Sequence, residues 1–249
     1  MAHENHFTQG GAVYALSRPT YPLSLAVELA DLCETKQHAV DIGCGTGQLS
    51  VLLASQFDRV TALDPSASQI ASAEAHPKVR YGVKSAEDTG LVDCSADLIV
   101  AAQAAHWFDL DRYYAEVRRV LHPNGIMALI SYGVPILQGD IGKRFDQFYW
   151  RDIYHFWPEG RKHVEREYKD LYFPFDEFNL KPLAIERDWT RDQFWNYIET
   201  WSAKRKAEEA GELDLFDQYA DELKAAWPDE ETHKVIWPIT ARIARINAT

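Results

Sequence analysis

The sequence predicts an α/β fold built on a doubly wound, mostly parallel sheet. From residue 22 to residue 133, short apolar segments alternate with segments whose apolar residues recur at helical spacing, which is typical of parallel strands joined by helices. A turn with three glycines follows the first strand segment, where sheets of this kind bind ligands. After Gly133 the alternation stops, and the aromatic-rich segment that follows is predicted to be a helical insertion after the fifth strand.

The alternation defines the helices and strands that precede the insertion. Helical spacing of apolar residues predicts helices at residues 21–34, 46–57, 65–76 and 109–121. Short apolar segments predict strands at residues 38–43, 59–64, 79–83, 96–104 and 126–133. The fourth strand is the most apolar, as expected of a central strand covered on both faces. A turn is predicted at "HPNG", residues 122–125, before the fifth strand.

The second half of the chain has a different composition. Between Phe145 and Phe178 lie 12 of the chain's 31 aromatic residues, which indicates that this segment covers a large apolar surface. Two late strands are predicted at residues 183–190 and 234–246, with a helical stretch from Arg191 to Trp227 between them.

Charge and cysteine content exclude several classes of partner and site. The net charge of −12, with no cluster of Lys and Arg, argues against nucleic acid and against an anionic membrane surface as partners. The three cysteines are irregularly spaced, so we expect neither disulfides nor a metal site, and a reducing compartment fits. Without a secretory signal or a long apolar segment, the expected location is cytoplasmic.

The glycine turn distinguishes among nucleotide-binding motifs. Its sequence "VDIGCGTGQLS", residues 40–50, has Gln48 where a phosphate-binding P-loop needs Lys. The dinucleotide fingerprint G-x-G-x-x-G also fails, because Gln48 or Ser50 stands at its third glycine. The close spacing D-x-G-x-G-x-G suits a ligand that has no pyrophosphate and lays its ribose and amino-acid tail along the turn.

An acidic residue ends the second predicted strand. The carboxylate of Asp64, in "ALDPS", can accept hydrogen bonds from both hydroxyls of a ribose, as an acid at this strand end does in nucleotide-binding folds. The alternative is that Asp64 only caps the next helix. The glycine turn nearby favours the ribose.

The motifs "VDIGCGTGQLS", "ALDPS" and "SAED", in this order, resemble the cofactor motifs of class I S-adenosylmethionine-dependent methyltransferases of the type 11 group. The resemblance extends from Val40 to Tyr132. "YALSRPTYP", residues 14–22, "AAHWFDL", residues 104–110, and the downstream "TWSA" are similar to the branch that includes trans-aconitate methyltransferase. The resemblance implies a Rossmann-like methyltransferase fold, S-adenosyl-L-methionine as the methyl donor and S-adenosyl-L-homocysteine as the product.

The resemblance also implies a role for individual residues in cofactor binding. The methionine end and the ribose would contact Asp41, Gly43 and Gly45, and the ribose diol would be held by Asp64 with Pro65. The adenine would be flanked by Ala86 and Glu87, and the sulfonium would be lined by Gln103 and Ala104. The domain division predicted on this basis is a single methyltransferase domain over residues 1–249. It comprises an N-terminal cap (1–21), a cofactor-binding core (22–133), a substrate-side insertion (134–182) and C-terminal strands and helix (183–249).

Methyl transfer from a sulfonium is an in-line displacement that depends mainly on aligning the nucleophile, and orientation alone can contribute about 7–11 kcal/mol. A hydroxyl acceptor needs a base, for which His106 is the candidate, whereas a carboxylate is already ionised near neutral pH. His106 could instead line the substrate pocket or hydrogen-bond a neighbouring loop. Trp107 beside it is a candidate substrate contact that could equally serve packing.

An anionic small molecule would need an arginine, because a guanidinium binds a carboxylate through two parallel hydrogen bonds. Arg18 is the preferred candidate, with Tyr14 beside it in the N-terminal cap. The insertion offers Arg144, Arg151 and Arg166, whereas Arg118 and Arg119 are expected on a solvated helix surface.

The leading prediction is O-methylation of a carboxylate or hydroxyl on a small molecule. The alternatives are a non-catalytic cofactor-binding or regulatory protein of the same fold, and a nicotinamide-dependent oxidoreductase. The sequence determines neither the substrate nor the oligomeric state.

Overall fold

A computed structural model describes residues 19–246 of the chain and contains a central sheet of eight strands. The strands are β1 (His38–Ile42), β2 (Arg59–Asp64), β3 (Val79–Val83), β4 (Ala96–Ala102), β5 (Leu121–Tyr132), β6 (Glu177–Phe178), β7 (Leu183–Thr190) and β8 (Thr232–Ile246). Their order is β3-β2-β1-β4-β5-β8-β6, and β7 also pairs with β8. The first five strands are parallel, and the pairs that include β8 are antiparallel. The predicted doubly wound, mostly parallel sheet is therefore confirmed.

Helices connect these strands. They are α1 (Leu23–Asp31), α2 (Gln48–Leu53), α3 (Ala67–Ala71), α4 (Leu110–Val120), α5 (Gly139–Gln147), α6 (Arg161–Glu165), α7 (Arg191–Glu199), α8 (Ser202–Ala210) and α9 (Asp214–Ala226). A π-helical turn at Phe148–Asp152 and 3-10 turns at Ala105–Trp107 and Tyr154–Phe156 complete the helical elements of the described residues.

The topology locates the crevice in which ligands of such sheets bind. The chain passes from β1 to β2 and β3 on one side and then returns to β4 on the other side of β1. The strand order therefore reverses beside β1, and ligands bind at the carboxyl ends of the strands at such a reversal. The glycine turn after β1 and the segment after β4 both lie at this edge.

The central strands are apolar on both faces, as the sequence predicts. In β4, Leu98 and Val100 belong to the core on one face of the sheet, and Ile99 and Ala101 belong to the core on the other. All four side chains are fully buried, which provides a rigid support for the residues at the strand end.

Several elements differ in extent from the prediction, and two of the differences have a clear physical reason. The helix predicted at residues 65–76 is only Ala67–Ala71, because none of its residues is buried and a short helix without a packed face gains little from extension. The turn predicted at residues 122–125 lies within β5 as a bulge: Leu121 already pairs with Ala96 and Ile126 with Leu98. Asn124, with φ of 66°, adopts the left-handed conformation in this bulge.

The aromatic insertion packs onto the C-terminal helices. Phe145, Phe148 and Tyr149 are fully buried in the same core as residues of α7, α8 and α9. The ring of Phe148 stacks on Tyr219, with 3.9 Å between the centroids and 8° between the planes. The aromatic residues therefore join the insertion to the helices between β7 and β8.

Residues 1–18, most of the predicted cap, lie outside the described residues. Within residues 19–246, no helix combines the length and the apolar character needed to cross a membrane.

The shared core predicts that the insertion and the rest of the chain unfold together. Phe148→Ala removes a buried stacked ring and should lower the free energy of unfolding by about 3–5 kcal/mol. Urea unfolding followed by far-UV circular dichroism and by tryptophan fluorescence should give coincident transitions in both proteins. Trp150→Ala, which removes a 44% exposed ring from the same segment, is the control and should cost much less. Two separate transitions in the unmodified protein would contradict the single-domain prediction.

Candidate functional site

The three glycines of the turn have different surroundings. A Cβ atom built on Gly43 would lie 2.4 Å from the Cβ of Ala104, and one built on Gly47 would lie 2.2 Å from the hydroxyl oxygen of Tyr81. Packing therefore requires glycine at Gly43, whereas at Gly47 the neighbour is the end of a side chain and the φ of 88° favours glycine. A Cβ on Gly45 would have only the side-chain oxygen of Gln69 nearby, at 3.9 Å, although its φ of 55° is left-handed. Among the described residues, Gly45 is thus the glycine of this turn with free space in front of it, as a ligand-facing position requires.

Asp64 fixes this turn and keeps hydrogen-bonding capacity. Its Oδ2 accepts from the N–H of Gly45 at 2.9 Å, and its Oδ1 accepts from the N–H of Ser66 at 2.8 Å. Ser66 is the residue that caps α3, through its bond with the N–H of Gln69, so Asp64 does not act as the helix cap. A carboxylate offers about four acceptor positions. Two remain for a diol, and Pro65 beside Asp64 is exposed.

Asp41, at the end of β1, has a buried oxygen atom without a partner. Its Oδ2 accepts from the hydroxyl of Ser50 at 2.6 Å, whereas no hydrogen bond reaches its Oδ1 within the described residues. The pKa of Asp41 is raised to about 7, mainly by burial; the Ser50 hydrogen bond acts to lower it, and the charge of Asp64 contributes to the rise. A cationic ligand lying along the turn would favour the ionised form of this carboxyl.

The segments after β3 and β4 meet beside the turn. Ala86 is buried, and the Oε1 of Glu87 accepts from the N–H of Asp109 at 3.1 Å. The ring of Phe108 lies 3.5 Å from the position of a Cβ on Gly43. These contacts bring "SAED" to the same edge as the glycine turn and add an aromatic wall that the sequence analysis did not include.

Gln103 holds a strained backbone at the end of β4. Its φ of 55° is in the left-handed region, which is uncommon for a residue with a side chain. Its backbone N–H donates to the carbonyl of Ile130 and its side-chain Nε2 donates to the carbonyl of Tyr132, both at 2.9 Å. These bonds to β5 maintain the conformation and direct the chain so that Ala104 packs on Gly43.

His106 lies in the 3-10 turn that follows Ala104. Its Nδ1 is hydrogen-bonded to the hydroxyl of Tyr168 at 2.9 Å, so the histidine contacts the insertion as the sequence analysis considered. Burial lowers the pKa of His106 to about 3, and the nearby charges of His163 and Arg161 contribute. The imidazole is therefore neutral near pH 7. Trp107 beside it is 43% exposed.

Tyr168 was missed by the sequence analysis. Glu167 and Tyr168 have φ values of 58° and 60°, and two consecutive left-handed residues with side chains are energetically costly. Tyr168 is nevertheless almost fully buried, with its hydroxyl on His106. No sequence signal marks this conformation, because it is imposed by the packing of the insertion.

The arginines proposed for substrate binding are mostly engaged elsewhere. Arg144 pairs with Asp152 and Glu222, Arg166 pairs with Asp170, and Arg151 is exposed. Arg118 is exposed, as expected of a helix surface, and lies 4.5 Å from the ring centroid of Phe175, whereas Arg119 is half-buried and pairs with Glu116 and Asp93. Tyr14 and Arg18 lie outside the described residues. Another insertion arginine, Arg161, has a side chain that is only 15% exposed and, among the described residues, one hydrogen bond, to the hydroxyl of Tyr149.

Comparison with known proteins identifies the family. A family model described as "Methyltransferase domain" matches residues 40–129. A methyltransferase candidate from Dictyostelium discoideum is 33% identical over 218 residues, which cover 86% of this chain and 83% of that protein. The chain belongs to the class I S-adenosylmethionine-dependent methyltransferases.

Two further relatives support the assignment of this chain to the methyltransferases. A solved structure of a type II methyltransferase candidate from Anaeromyxobacter dehalogenans has a TM-score of 0.88 and 42% identity, covering 93% of this chain and 99% of that chain. CRG1 of Saccharomyces cerevisiae, named as an S-adenosylmethionine-dependent methyltransferase candidate, is 33% identical over 133 residues, 50% of this chain and 46% of that protein. The nicotinamide-dependent alternative is therefore set aside.

The site fits the methyl donor of this family on three observations. The unpartnered Oδ1 of Asp41 can receive a donor, the carboxylate of Asp64 has acceptor positions left, and Gly45 has space in front of it. Within residues 19–246, no group of three or more His, Cys, Asp or Glu side chains is placed to hold a metal ion.

Asp41 predicts a specific pH dependence of stability. Because burial raises its folded-state pKa from 3.8 to about 7, the ligand-free protein loses stability as pH rises between these two values. Asp41→Asn removes this loss. The melting temperature of the variant minus that of the unmodified protein should therefore increase from pH 4.5 to pH 7. A change of 1 kcal/mol corresponds to about 2–4 °C in a chain of this size. A difference in melting temperature that is constant over this range would show that Asp41 ionises normally.

Proposed function

We propose that this methyltransferase binds S-adenosyl-L-methionine along the glycine turn, transfers the methyl group to an oxygen of a small molecule, and releases S-adenosyl-L-homocysteine. The observation that carries the proposal is the space that the described residues leave at Gly45, beside the carboxylate of Asp64 with its remaining acceptor positions. The cofactor supplies an electrophilic methyl group on a sulfonium, and the chain's own residues bind it, orient it and exclude water.

Each cofactor-binding residue has a proposed role. Asp64 accepts the ribose hydroxyls, with Pro65 following it, and Asp41 faces the amino-acid end beside Gly43 and Gly45. Two pairs complete the site: Ala86 and Glu87 flank the adenine, and Gln103 and Ala104 lie at the sulfonium. The contact of Ala104 with Gly43 and the bonds of Gln103 to β5 support this assignment, because they hold the segment after β4 against the turn.

The proposed acceptor is the carboxylate or hydroxyl of a small acid. The similarity of "YALSRPTYP", "AAHWFDL" and "TWSA" to the trans-aconitate methyltransferase branch supports this substrate class. Residues 1–21, including Tyr14 and Arg18, would form a cap over the substrate, and the aromatic insertion would form the opposite wall. Apolar walls with few polar groups are typical of small-molecule pockets.

His106 fits a positioning role better than that of a general base. A general base works best when its pKa is near the working pH, and burial lowers the pKa of His106 far below that range. A carboxylate acceptor carries no proton near neutral pH and needs only alignment. We therefore propose that His106 and Trp107 line the acceptor site, with Tyr168 holding the imidazole.

The alternative is a cofactor-binding protein without catalysis. Every position of the cofactor motifs carries the expected residue, which disfavours this alternative, and an assay of turnover decides between the two. Release of S-adenosyl-L-homocysteine on addition of a small-molecule acceptor would exclude a purely regulatory role.

The cofactor assignment predicts a loss of affinity in Asp64→Ala. Two charge-assisted hydrogen bonds to the ribose contribute about 1.5–3 kcal/mol each before water compensates, so the Kd for S-adenosyl-L-methionine should rise at least about tenfold. Calorimetric titration measures this change. The matched control is Asp58→Ala, which removes an exposed acid beside the opposite end of β2 and should bind normally. Unchanged affinity in folded Asp64→Ala would refute the assignment.

The role of His106 predicts a modest effect of its removal. His106→Ala should reduce turnover less than tenfold, whereas loss of a general base would cost about 10²–10⁴-fold. His106→Asn keeps an acceptor for the hydroxyl of Tyr168 and should retain more activity than the alanine variant. Because the pKa of His106 lies near 3, the rate should be flat from pH 6 to pH 9 in either case. The size of the loss is therefore the measurement that decides, and a thousandfold loss would make His106 the base.

A further inference from the structure

Arg161 is a largely shielded arginine at the start of α6. Its side chain is 15% exposed, and its guanidinium carbon lies 4.9 Å from the ring centroid of Trp157. The Nε atom donates to the hydroxyl of Tyr149 at 2.9 Å. The nearest carboxylate oxygen, the Oε1 of Glu165, is 3.9 Å from Nε, beyond hydrogen-bond distance.

The two terminal nitrogens of Arg161 have no hydrogen bond or ion pair within the described residues. Glu165 does not supply them: its nearest approach to Arg161 is the 3.9 Å between Oε1 and Nε, and its oxygens accept from the hydroxyls of Tyr149 at 2.7 Å and Tyr154 at 3.0 Å. The other shielded arginines of this half of the molecule differ. Arg144 is paired with two carboxylates, and Arg242 binds Glu177 and two backbone carbonyls.

An arginine in this state is costly to the protein alone. The ion pair of its Nε with Glu165 at 3.9 Å leaves the donors of both terminal nitrogens unsatisfied in a largely shielded position, which is unfavourable. A guanidinium whose planar fork remains free is suited to a ligand that offers two acceptor oxygens in one plane. A carboxylate provides them.

The position of Arg161 relates it to the acceptor side of the site. Its neighbour Gly160 packs on the turn after β4: a Cβ there would lie 3.5 Å from the His106 ring and 3.8 Å from Trp107. The charge of Arg161 also contributes to the lowered pKa of His106 and acts to lower that of Tyr168. The two terminal nitrogens of Arg161 therefore lie in the region where the insertion meets the turn after β4.

We propose that Arg161 is the specificity-determining residue of the acceptor pocket and binds the carboxylate of an organic acid through both terminal nitrogens. This inference rests on the proposed function and deepens it, since it assigns the anion contact to the insertion. Trp157 and Tyr149 provide an aromatic wall beside the fork, so the acid is a small one with an apolar body.

The test compares acids with their neutral amides on the protein loaded with S-adenosyl-L-homocysteine. The probes are benzoate, phenylacetate, glutarate and hexanoate, each with its carboxamide, titrated by calorimetry and then assayed as acceptors with S-adenosyl-L-methionine. At least one acid should bind the unmodified protein about tenfold or more tightly than its amide. Arg161→Gln should abolish this preference. For any acid that is methylated, KM should rise about 10–100-fold while kcat changes less than threefold.

Two further variants make the result specific. Arg161→Lys keeps the charge but lacks the fork, so it should bind the acid with intermediate affinity, and it provides the test if the glutamine variant does not fold. Arg166→Gln makes the same change of charge at an exposed insertion arginine and should behave as the unmodified protein.

The outcomes separate this inference from the proposed function. The inference is overturned if Arg161→Gln keeps the preference for acids, or if the cofactor-loaded protein binds none of the acids. Absence of S-adenosyl-L-methionine binding would instead overturn the proposed function, and the acid titrations on the ligand-free protein would still report on Arg161.

Discussion

The arrangement of the site depends on the carboxylate of Asp64. It accepts from the N–H of Gly45 with one oxygen and from the N–H of Ser66 with the other, and so fixes the glycine turn to the end of β2. The other side of the turn is held by the close approach of Gly43 to Ala104. The turn cannot shift without breaking one of these contacts, and Gly45 faces space that no residue between 19 and 246 occupies. A charged group that orders the backbone and still has acceptor capacity suits a site formed before its ligand arrives.

The energetic cost of this site is concentrated in a few residues. Burial raises the pKa of Asp41, while Gln103, Glu167 and Tyr168 adopt left-handed backbone conformations. Such features persist only where the surroundings determine them, and they cluster at functional sites. The surroundings here are the fully buried central strands, apolar on both faces, and the stacked aromatic residues that join the insertion to the C-terminal helices.

The insertion contributes chemistry as well as packing. Its aromatic residues surround a polar network in which Arg161 donates to the hydroxyl of Tyr149, and this hydroxyl in turn donates to Glu165. Tyr168 reaches from the same insertion to His106. The neutral imidazole that results is suited to orienting an acceptor, and the cation beside it is suited to selecting one. Alignment and charge recognition are the two tasks that a methyl transfer with a good leaving group leaves to the protein.

The sequence by itself determined the sheet, the glycine turn and the acid at the end of β2, because each depends on local periodicity or on a motif of fixed spacing. The extent of elements was less predictable: α3 is short because it has no packed face, and β5 absorbs "HPNG" as a bulge because Leu121 pairs with Ala96. Only the tertiary structure decided that Gly43 serves packing while Gly45 faces open space. It also decided which insertion arginine has a free fork, since that depends on carboxylates distant in sequence, such as Glu222 on Arg144. Contacts between distant segments set the pKa of His106 and the conformation of Tyr168, and no local pattern in the sequence encodes them.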